Sequence, residues 1–291
     1  MAGEDTADPG AAAYRDFAVP EVVAEHSRSW LRRPPADRPA ATPRASATVM
    51  LLRDDPRLEV FVLRRVAGMA FAAGMVAFPG GGVDPRDAEV GVPWAGPDAR
   101  SWARRLGTGE AAARQLVTAA AREVFEECGV LLAGRSPDAV VDDLRDEVWR
   151  RERAGLLDRT HGFAQVLERH GLVLRTDLLS LRGHWVTPEC EPRRYDTRFL
   201  AARMPPGQVA DDESSEAAEA GWRTPADILQ GQREGRDLLL PPTQVMVEEL
   251  AGIRDLDAWL GQRPRVPAVL PVPVEHDGRL WMRVPRHEDA R

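Results

Sequence analysis

Three glutamates stand close together near the middle of the chain, within the run Ala121 to Val130 (A-R-E-V-F-E-E-C-G-V). Glu123, Glu126 and Glu127 occupy positions i, i+3 and i+4, so a helix would bring their side chains onto one face, within about 6 Å of one another. Carboxylates at that spacing repel unless solvent, arginine or a cation separates them. Because Mg²⁺ and Mn²⁺ prefer oxygen ligands, the spacing leaves two hypotheses, a solvated acidic helix face or a site for a hard divalent cation.

The segments on either side of the cluster favour the cation site. A glycine-rich turn, A-F-P-G-G-G-V-D at Ala77–Asp84, follows an apolar run upstream, and Gly129 stops the predicted helix Glu110–Cys128 downstream. Glycine permits positive φ and a close approach of backbone to a ligand or a helix. The residues Val130–Leu132 read as a strand. The pattern therefore predicts a turn, a helix and a strand that together position the glutamates.

The run Arg122–Val130 resembles the second half of the signature of the Nudix hydrolase family, G-x5-E-x7-R-E-U-x-E-E-x-G-U, where U is a bulky aliphatic residue. Every specified position of that half is matched. In the first half, Arg114 stands where the family has glutamate and Thr108 where it has glycine. Glu110 is one candidate to replace the missing glutamate, although an acid at a helix start also complements the helix dipole.

A lengthened loop, from about residue 84 to 109, explains why the first half of the signature departs. Similar insertions occur in a Nudix subgroup that resembles mammalian coenzyme A diphosphatases. The segment Arg65–Gly81 also partly resembles the coenzyme A signature of that subgroup, with matches at Arg65, Gly74 and Phe78–Gly81. Ala70 and Ala72 replace its Arg and His. The resemblance thus implies hydrolysis of coenzyme A or an acyl-coenzyme A, with NADH, ADP-ribose or other nucleotide diphosphates as alternative substrates.

The resemblance also implies roles for individual residues. The metal ligands would be Glu123, Glu126 and Glu127, holding Mg²⁺ or Mn²⁺, and Arg122 would orient them through its i, i+4 contact with Glu126. The residues expected to act in catalysis are Glu127, Glu126, Arg122, Glu213 and Glu216. Glu213 and Glu216 are the candidates for general base, although the run D-D-E-S-S-E also fits a solvated loop. The expected substrate-binding residues are Arg65, Gly80, Gly81, Arg193 and Arg194, since the arginine fork suits phosphate oxygens.

Composition sets the outer limits of function. The chain has 291 residues, of which 43% are hydrophobic and 29% charged, and no window approaches the roughly 18 apolar residues of a membrane span. The net charge of −7 argues against a nucleic-acid binder. Two cysteines and a start without a signal-peptide pattern predict a cytoplasmic protein. We expect a small nucleotide diphosphate as partner, neither nucleic acid nor membrane, with a homodimer left open.

The expected fold is a Nudix α/β/α sandwich with a mixed sheet, a loop insertion within the Nudix signature, a helical insertion and a C-terminal hairpin. Residues 1–42 would be an arm with a short helix near Glu21 to Leu31, 43–262 the Nudix domain, and 263–291 a hairpin packed on that domain. The insertions lie at about 84–109 and 136–172, the second with Val140, Val141 and Leu144 at helical spacing. The strands are expected at 46–52, 58–63, 130–132, 183–186, 195–202 and 217–222. A Nudix-fold binding module without activity is the alternative, and a di-iron bundle is disfavoured because Glu-x-x-His pairs are absent from the sequence.

Overall fold

Strands and helices are interspersed along the part of the chain that the computed structural model describes, residues 13–19, 21–65, 74–89, 91–211 and 217–285. The strands in these residues are β1 (Tyr14–Ala18), β2 (Arg44–Arg53), β3 (Glu59–Arg65), β4 (Val76–Ala77), β5 (Gly80–Gly82), β6 (Trp94–Ala95), β7 (Ala133–Gly134), β8 (Val173–Arg175), β9 (Ser180–Val186), β10 (Tyr195–Arg203), β11 (Ala217–Arg223), β12 (Val272–His276) and β13 (Arg279–Pro285). The helices are α1 (Glu21–Leu31), α2 (Ala99–Leu106), α3 (Glu110–Cys128), α4 (Glu147–Leu157), α5 (Phe163–Arg169), α6 (Pro225–Arg233), α7 (Pro241–Ala251) and α8 (Leu256–Gly261). The chain is therefore of the expected mixed α/β class.

The central sheet has the order β11-β3-β2-β10-β9, with β4 paired to β3 and β5 paired to β2. Strands β2 and β3 form the predicted antiparallel hairpin, with Leu52 opposite Val60. A smaller sheet is mixed, because β8 pairs with β6 in parallel and with β7 antiparallel. The glycine-rich turn enters the central sheet as β5, with Gly81 opposite Ala47 on β2. The sheet thereby fixes where the glycines lie.

The described residues group into two compact units. The first comprises the described residues of Met1–Arg44 together with His184–Asp196 and those of Pro267–Arg291, and the second those of Ala45–Gly183 and Thr197–Val266. In the first unit, the predicted C-terminal hairpin is present as β12 and β13, turning at Asp277 and Gly278, both with positive φ. The N-terminal arm supplies β1 as a further antiparallel strand on β13.

Helix α3 is the centre of the hydrophobic core of the second unit. From Ala113 to Cys128 nearly every one of its side chains is buried, and alanines at Ala119, Ala120 and Ala121 let neighbouring elements approach closely. The helix is therefore buried on all sides, which is the pattern of a central helix and not of a surface one. The acidic cluster at its C-terminal end is carried by this rigid element.

The strand predicted at Val130–Leu132 is wrong, because the strand in this region is β7, which begins only at Ala133. Val130–Leu132 are fully buried and form no strand, and among the described residues their one backbone contact with a strand is the Leu132 carbonyl, which accepts from the Arg175 N–H of β8 at 2.9 Å. The side-chain amide of Gln208 takes the partner's place, accepting from the Leu131 N–H at 2.9 Å and donating to the Leu131 carbonyl at 3.0 Å. A side chain 77 residues away thus satisfies backbone groups that the sequence pattern assigned to a ladder.

The structure differs from the prediction in both insertions. The first was predicted as a loop but contains helical structure, and the second is helical over a shorter range than predicted. The first holds a 3-10 turn at Pro85–Ala88 and helix α2, which Asp98 caps by accepting from the Ser101 N–H at 2.8 Å. In the second, the predicted helical region does contain α4 and α5, but the helical reading of Val140, Val141 and Leu144 is wrong. Helix α4 begins only after Asp146, whose carboxylate accepts from the Trp149 N–H. None of the helices in the described residues is long and apolar enough to cross a lipid bilayer.

Candidate active site

The C-terminal end of α3 places the three glutamates at a sharp stop in the chain. Gly129 follows the helix with φ of 66°, a left-handed conformation that glycine adopts without the steric penalty of other residues. Its N–H donates to the carbonyl of Phe125 at 3.0 Å and so closes the last turn. Glu126 and Glu127 therefore lie in the final turn of a buried helix, and Glu123 lies one turn earlier.

Arg122 joins two of the three glutamates. Its Nη1 donates to Glu123 Oε1 at 2.7 Å and to Glu126 Oε2 at 3.0 Å. The predicted i, i+4 contact of Arg122 with Glu126 is therefore present. The Arg122 side chain is only 9% exposed, so these charge-assisted hydrogen bonds are shielded from solvent.

A fourth carboxylate, that of Asp87, completes the surroundings of Arg122. Asp87 accepts from Arg122 Nε at 2.9 Å and from Nη2 at 3.0 Å, a bidentate pair, and Nη2 also donates to the Gly82 carbonyl. The Asp87 side chain is 1% exposed. Its Oδ2 accepts from the Asp84 N–H at 2.8 Å, the reciprocal cap of the 3-10 turn Pro85–Ala88. The loop insertion therefore delivers a buried acid to Arg122.

The hypothesis that Glu110 replaces the missing glutamate of the signature stays a prediction, and the geometry gives it no support. Glu110 is the first residue of α3, and at 1.5 Å per residue it lies about 18 Å along the axis from Arg122. Asp87 is the acid that Arg122 contacts instead. The run Asp84-Pro85-Arg86-Asp87, with two acids three residues apart around a proline, is a sequence signal for the capped turn that carries Asp87, but it does not predict the contact with Arg122.

The glycine-rich turn lies directly against the glutamates. The Gly80 N–H donates to Glu127 Oε2 at 2.7 Å. A Cβ atom on Gly81 would lie 2.6 Å from Glu123 Oε1, closer than side chains tolerate. A side chain at position 81 would therefore displace the Glu123 carboxylate from its present place, and the backbone of Gly80 takes part in holding Glu127. The role of these two glycines in binding substrate stays a prediction.

Burial sets the ionisation of the cluster. It raises the pKa of Glu123 to about 7, against the lowering influence of Arg122. Burial likewise raises the pKa of Glu126 and of Asp87, which Arg122 opposes in both cases. Raised pKa values mean that the charged forms are disfavoured by their surroundings, and a nearby cation would lower them again. The site thus carries more buried carboxylate than Arg122 alone neutralises.

The donor chemistry of Glu123, Glu126 and Glu127 fits a hard divalent cation. All three offer carboxylate oxygens, the ligand type that Mg²⁺ and Mn²⁺ prefer, within two turns of one helix. The side chains are, however, turned toward Arg122 and Gly80, and in the described part of the chain no group of three or more His, Cys, Asp or Glu side chains is already arranged to hold a metal. The residues fit a metal by type and spacing, while a formed coordination cage is absent among the described residues.

Comparison with known proteins decides the family. The family model for the NUDT19 Nudix domain matches residues 103–250, just over half of the 291 residues. The chain belongs to the Nudix family. The match begins within α2 and includes the whole of α3, so the Nudix helix of this family member is the helix that carries Arg122 and the three glutamates.

Two relatives of this Nudix chain extend the comparison. The chain is 26% identical over 216 residues to a Caenorhabditis elegans protein described as putative nudix hydrolase 7. The matched stretch covers 74% of this chain and 62% of the relative. It therefore spans about three fifths of that relative's length. A crystal structure of a Nudix hydrolase from Alicyclobacillus acidocaldarius matches 78% of this chain and 99% of its own, at 28% identity and a TM-score of 0.61. The Nudix α/β/α sandwich that we expected is thereby confirmed.

The remaining predicted site residues of this Nudix chain lie in three different settings. Glu213 and Glu216 lie outside the described residues, and so does the side chain of Arg65, whose backbone belongs to β3. Arg193 is exposed and Arg194 is buried, and both belong to the first compact unit, whereas α3 belongs to the second. Arg194 donates to the carbonyls of Thr187 and Ala41. The Arg194 guanidinium therefore contacts backbone carbonyls within the first compact unit. Its predicted role in binding phosphate gains no support.

Proposed function

We propose that this protein is a divalent-cation-dependent hydrolase of nucleoside diphosphate linkages. The observation that carries the proposal is the buried group at the end of α3, where Arg122 contacts Glu123 and Glu126 and the Gly80 backbone holds Glu127. Buried charges are expensive unless they are paired or coordinate a metal, so such a group is expected where chemistry requires it. Membership of the Nudix family supports the same activity.

The residues of the chain divide the work in this proposal. A bound Mg²⁺ or Mn²⁺ would neutralise the diphosphate and lower the pKa of a bound water. Glu123, Glu126 and Glu127 would hold the cation through carboxylate oxygens. Arg122 sets the direction of two of these side chains, and the Gly80 N–H sets that of the third. Water attacks phosphorus, the bond between that phosphorus and the bridging oxygen breaks, and a proton passes to a base.

Glu213 and Glu216 are the proposed general bases. The support is the position of Asp211, the last described residue before them. Its N–H donates to the carbonyl of Cys128, the last residue of α3, at 2.8 Å. The acidic segment therefore starts beside the turn that carries Glu127. Double substitution of Glu213 and Glu216 by glutamine should then reduce turnover, and an unchanged rate would remove both from the proposal.

Coenzyme A or an acyl-coenzyme A is the proposed substrate. Its support is the partial match of Arg65, Gly74 and Phe78–Gly81 to the coenzyme A signature, together with the lengthened loop of the same subgroup. NADH, ADP-ribose and other nucleotide diphosphates are the competing substrates. The low cysteine count supports a cytoplasmic location within this proposal, and the homodimer is left open.

A Nudix-fold binding module is the second candidate function. The observation in its favour is that no three metal-ligating side chains in the described residues already converge. In that case the protein would bind a nucleotide diphosphate without cleaving it. A test of turnover and of binding on the same preparation separates the two functions.

The experiment is mass spectrometry of the products after the full chain meets coenzyme A, NADH and ADP-ribose with Mg²⁺ or Mn²⁺. We expect cleavage of coenzyme A to phosphopantetheine and adenosine 3′,5′-bisphosphate. Glu127→Gln should lower the rate by about a hundredfold or more, because it replaces a carboxylate ligand of the proposed cation with a neutral amide. Glu110→Gln, at the far end of the same helix, is the matched control.

Each result of this experiment has a defined meaning. Preference for NADH or ADP-ribose would keep the active site and discard the coenzyme A assignment. Equal rates for Glu127→Gln and wild type would remove Glu127 from the mechanism. Binding of a nucleotide without turnover of any would favour the binding module.

A further inference from the structure

The C-terminal carbonyls of α3 all have identified partners, and those partners come from different parts of the chain. The last carbonyls of a helix lack partners within the helix. Those of Val124 and Phe125 accept from the N–H groups of Val130 and Gly129, and that of Cys128 accepts from Asp211. The carbonyls of Glu126 and Glu127, which belong to two of the residues proposed to bind metal, accept instead from a side chain of another helix.

Arg153, on the insertion helix α4, contacts both of these carbonyls. Its Nε donates to the Glu126 carbonyl at 2.7 Å and its Nη2 to the Glu127 carbonyl at 3.1 Å. The remaining nitrogen, Nη1, forms an ion pair with the Asp211 carboxylate. A guanidinium also suits the negative end of the helix dipole, and its planar fork can serve several acceptors at once. One side chain thus fixes the backbone of the last helical turn and the start of the acidic segment.

The packing of α4 on α3 places Arg153 where it can do this. Trp149 packs edge-on against Phe125, with ring centroids 6.2 Å apart. Arg153 follows Trp149 by four residues, so the two side chains lie on the same face of α4. The buried carboxylate of Glu152, on α4, accepts from Arg169 on α5 at 2.7 Å. This ion pair links the two helices of the helical insertion. Arg153 is only 14% exposed.

A neighbouring arginine shows that this arrangement is particular to Arg153. Arg151 lies on the same helix, is 76% exposed, and pairs with Glu147 one turn away at 3.2 Å. Such a surface pair contributes little to stability. The two residues are of the same type and lie on the same helix, but they differ in what they contact.

We propose that Arg153 is a positioning residue of the active site, and that the helical insertion is present in part to supply it. Arg153 acts through the backbone of Glu126 and Glu127 and through Asp211, and it does not touch the substrate. The inference rests on the proposed hydrolase function, because positioning has a measurable effect on rate only if the protein catalyses a reaction. A displacement of about 1 Å in a catalytic group can lower a rate about a hundredfold, which is the size of effect that loss of Arg153 could produce.

The test compares Arg153→Met, Arg153→Lys, Asp211→Asn and Arg151→Met in the full chain. Steady-state kinetics with the nucleotide that the mass spectrometry identifies as substrate give kcat and KM. Electron paramagnetic resonance of Mn²⁺ gives the metal affinity without turnover. We expect Arg153→Met to lower kcat about ten- to a hundredfold with KM changed less than about threefold, and to weaken Mn²⁺ binding about tenfold. Arg153→Lys should recover part of kcat, Asp211→Asn should have a smaller effect than Arg153→Met, and Arg151→Met should match wild type.

Hydrogen exchange supplies a readout that does not depend on activity. The amide of Asp211, which donates to the Cys128 carbonyl, should exchange faster in Arg153→Met than in Arg151→Met. If Arg153→Met unfolds, Arg153→Lys carries the test, since it keeps a cation at the helix end. Wild-type rates and Mn²⁺ affinity in a folded Arg153→Met protein would overturn the inference.

Failure of the proposed function gives a different pattern from failure of this inference. If wild type cleaves none of the nucleotides, the hydrolase proposal fails, and the kinetic role of Arg153 fails with it. If wild type is active and Arg153→Met is equally active, only the role of Arg153 is lost. Unequal Mn²⁺ affinity with equal rates would also overturn the positioning role.

Discussion

Two arginines hold the same turn of α3 by different chemistry. Arg122 lies on α3 itself and contacts the carboxylates of Asp87, Glu123 and Glu126, whereas Arg153 lies on α4 and contacts two backbone carbonyls and the carboxylate of Asp211. Arg122 therefore sets side-chain directions and neutralises charge. Arg153 sets the path of the backbone. The acidic cluster at the end of α3 is thus held both by its side chains and by its backbone.

The two contacts differ in how much the rest of the structure depends on them. Loss of the Arg122 guanidinium would leave three largely buried carboxylates without that counter-charge. Loss of Arg153 would leave two neutral carbonyls and Asp211, whose side chain is 40% exposed. Uncompensated buried charge is more costly than an unpaired carbonyl. We therefore expect a larger loss of stability at position 122 than at 153.

The largest expected effect on stability is that of Arg122→Met. Breaking a buried ion pair by removing one partner lowers the free energy of unfolding by about 3–5 kcal/mol. Arg153→Met removes hydrogen bonds at the helix end and should cost about 1–3 kcal/mol. Urea unfolding monitored by tryptophan fluorescence measures both values. Equal losses would mean that the charge on the carboxylates does not dominate, and the contrast between the two arginines would fail.

A smaller effect, on rate more than on stability, is expected for Asp87→Asn. The amide keeps the size of the side chain but presents one oxygen in place of the bidentate carboxylate, so Arg122 loses part of its orientation. Changes of this kind beside a metal site typically reduce activity about 10–100-fold. Steady-state kinetics against Asp143→Asn, an exposed acid of the second insertion, tests it. A wild-type kcat in Asp87→Asn would show that Asp87 only supports the 3-10 turn.

The smallest effect is expected for Glu110→Gln. Glu110 is exposed in the first turn of α3, far along the helix from Arg122, and an acid there contributes about 0.3–1 kcal/mol through the helix dipole. Its kcat should stay within about twofold of wild type, since rate differences of that size correspond to under 0.5 kcal/mol. Thermal unfolding and kinetics on one preparation measure both quantities. A large loss of kcat would return Glu110 to the active site and remove Asp87 from it.

Much of the fold could be predicted because it follows from local patterns. The predicted bounds of α3, Glu110 to Cys128, and of α1, near Glu21 to Leu31, agree with the structure, and α3 ends where Gly129 adopts a left-handed conformation. The β2–β3 hairpin followed from a turn between two apolar runs. Val130–Leu132 failed as a strand because its backbone groups have separate partners, among them the side chain of Gln208, remote in sequence, on both groups of Leu131.

The core of the candidate site could be predicted from the sequence, because helical spacing alone brings Arg122, Glu123, Glu126 and Glu127 within reach of one another. It could not determine that Asp87 supports Arg122, since a separation of 35 residues carries no spacing rule. The contact of Arg153 with the helix end depends likewise on how Trp149 packs against Phe125. Periodicity governs neighbours within an element, whereas contacts between elements depend on the packing of the whole core. The contacts of Asp87 and Arg153 that complete the site therefore depend on the tertiary structure.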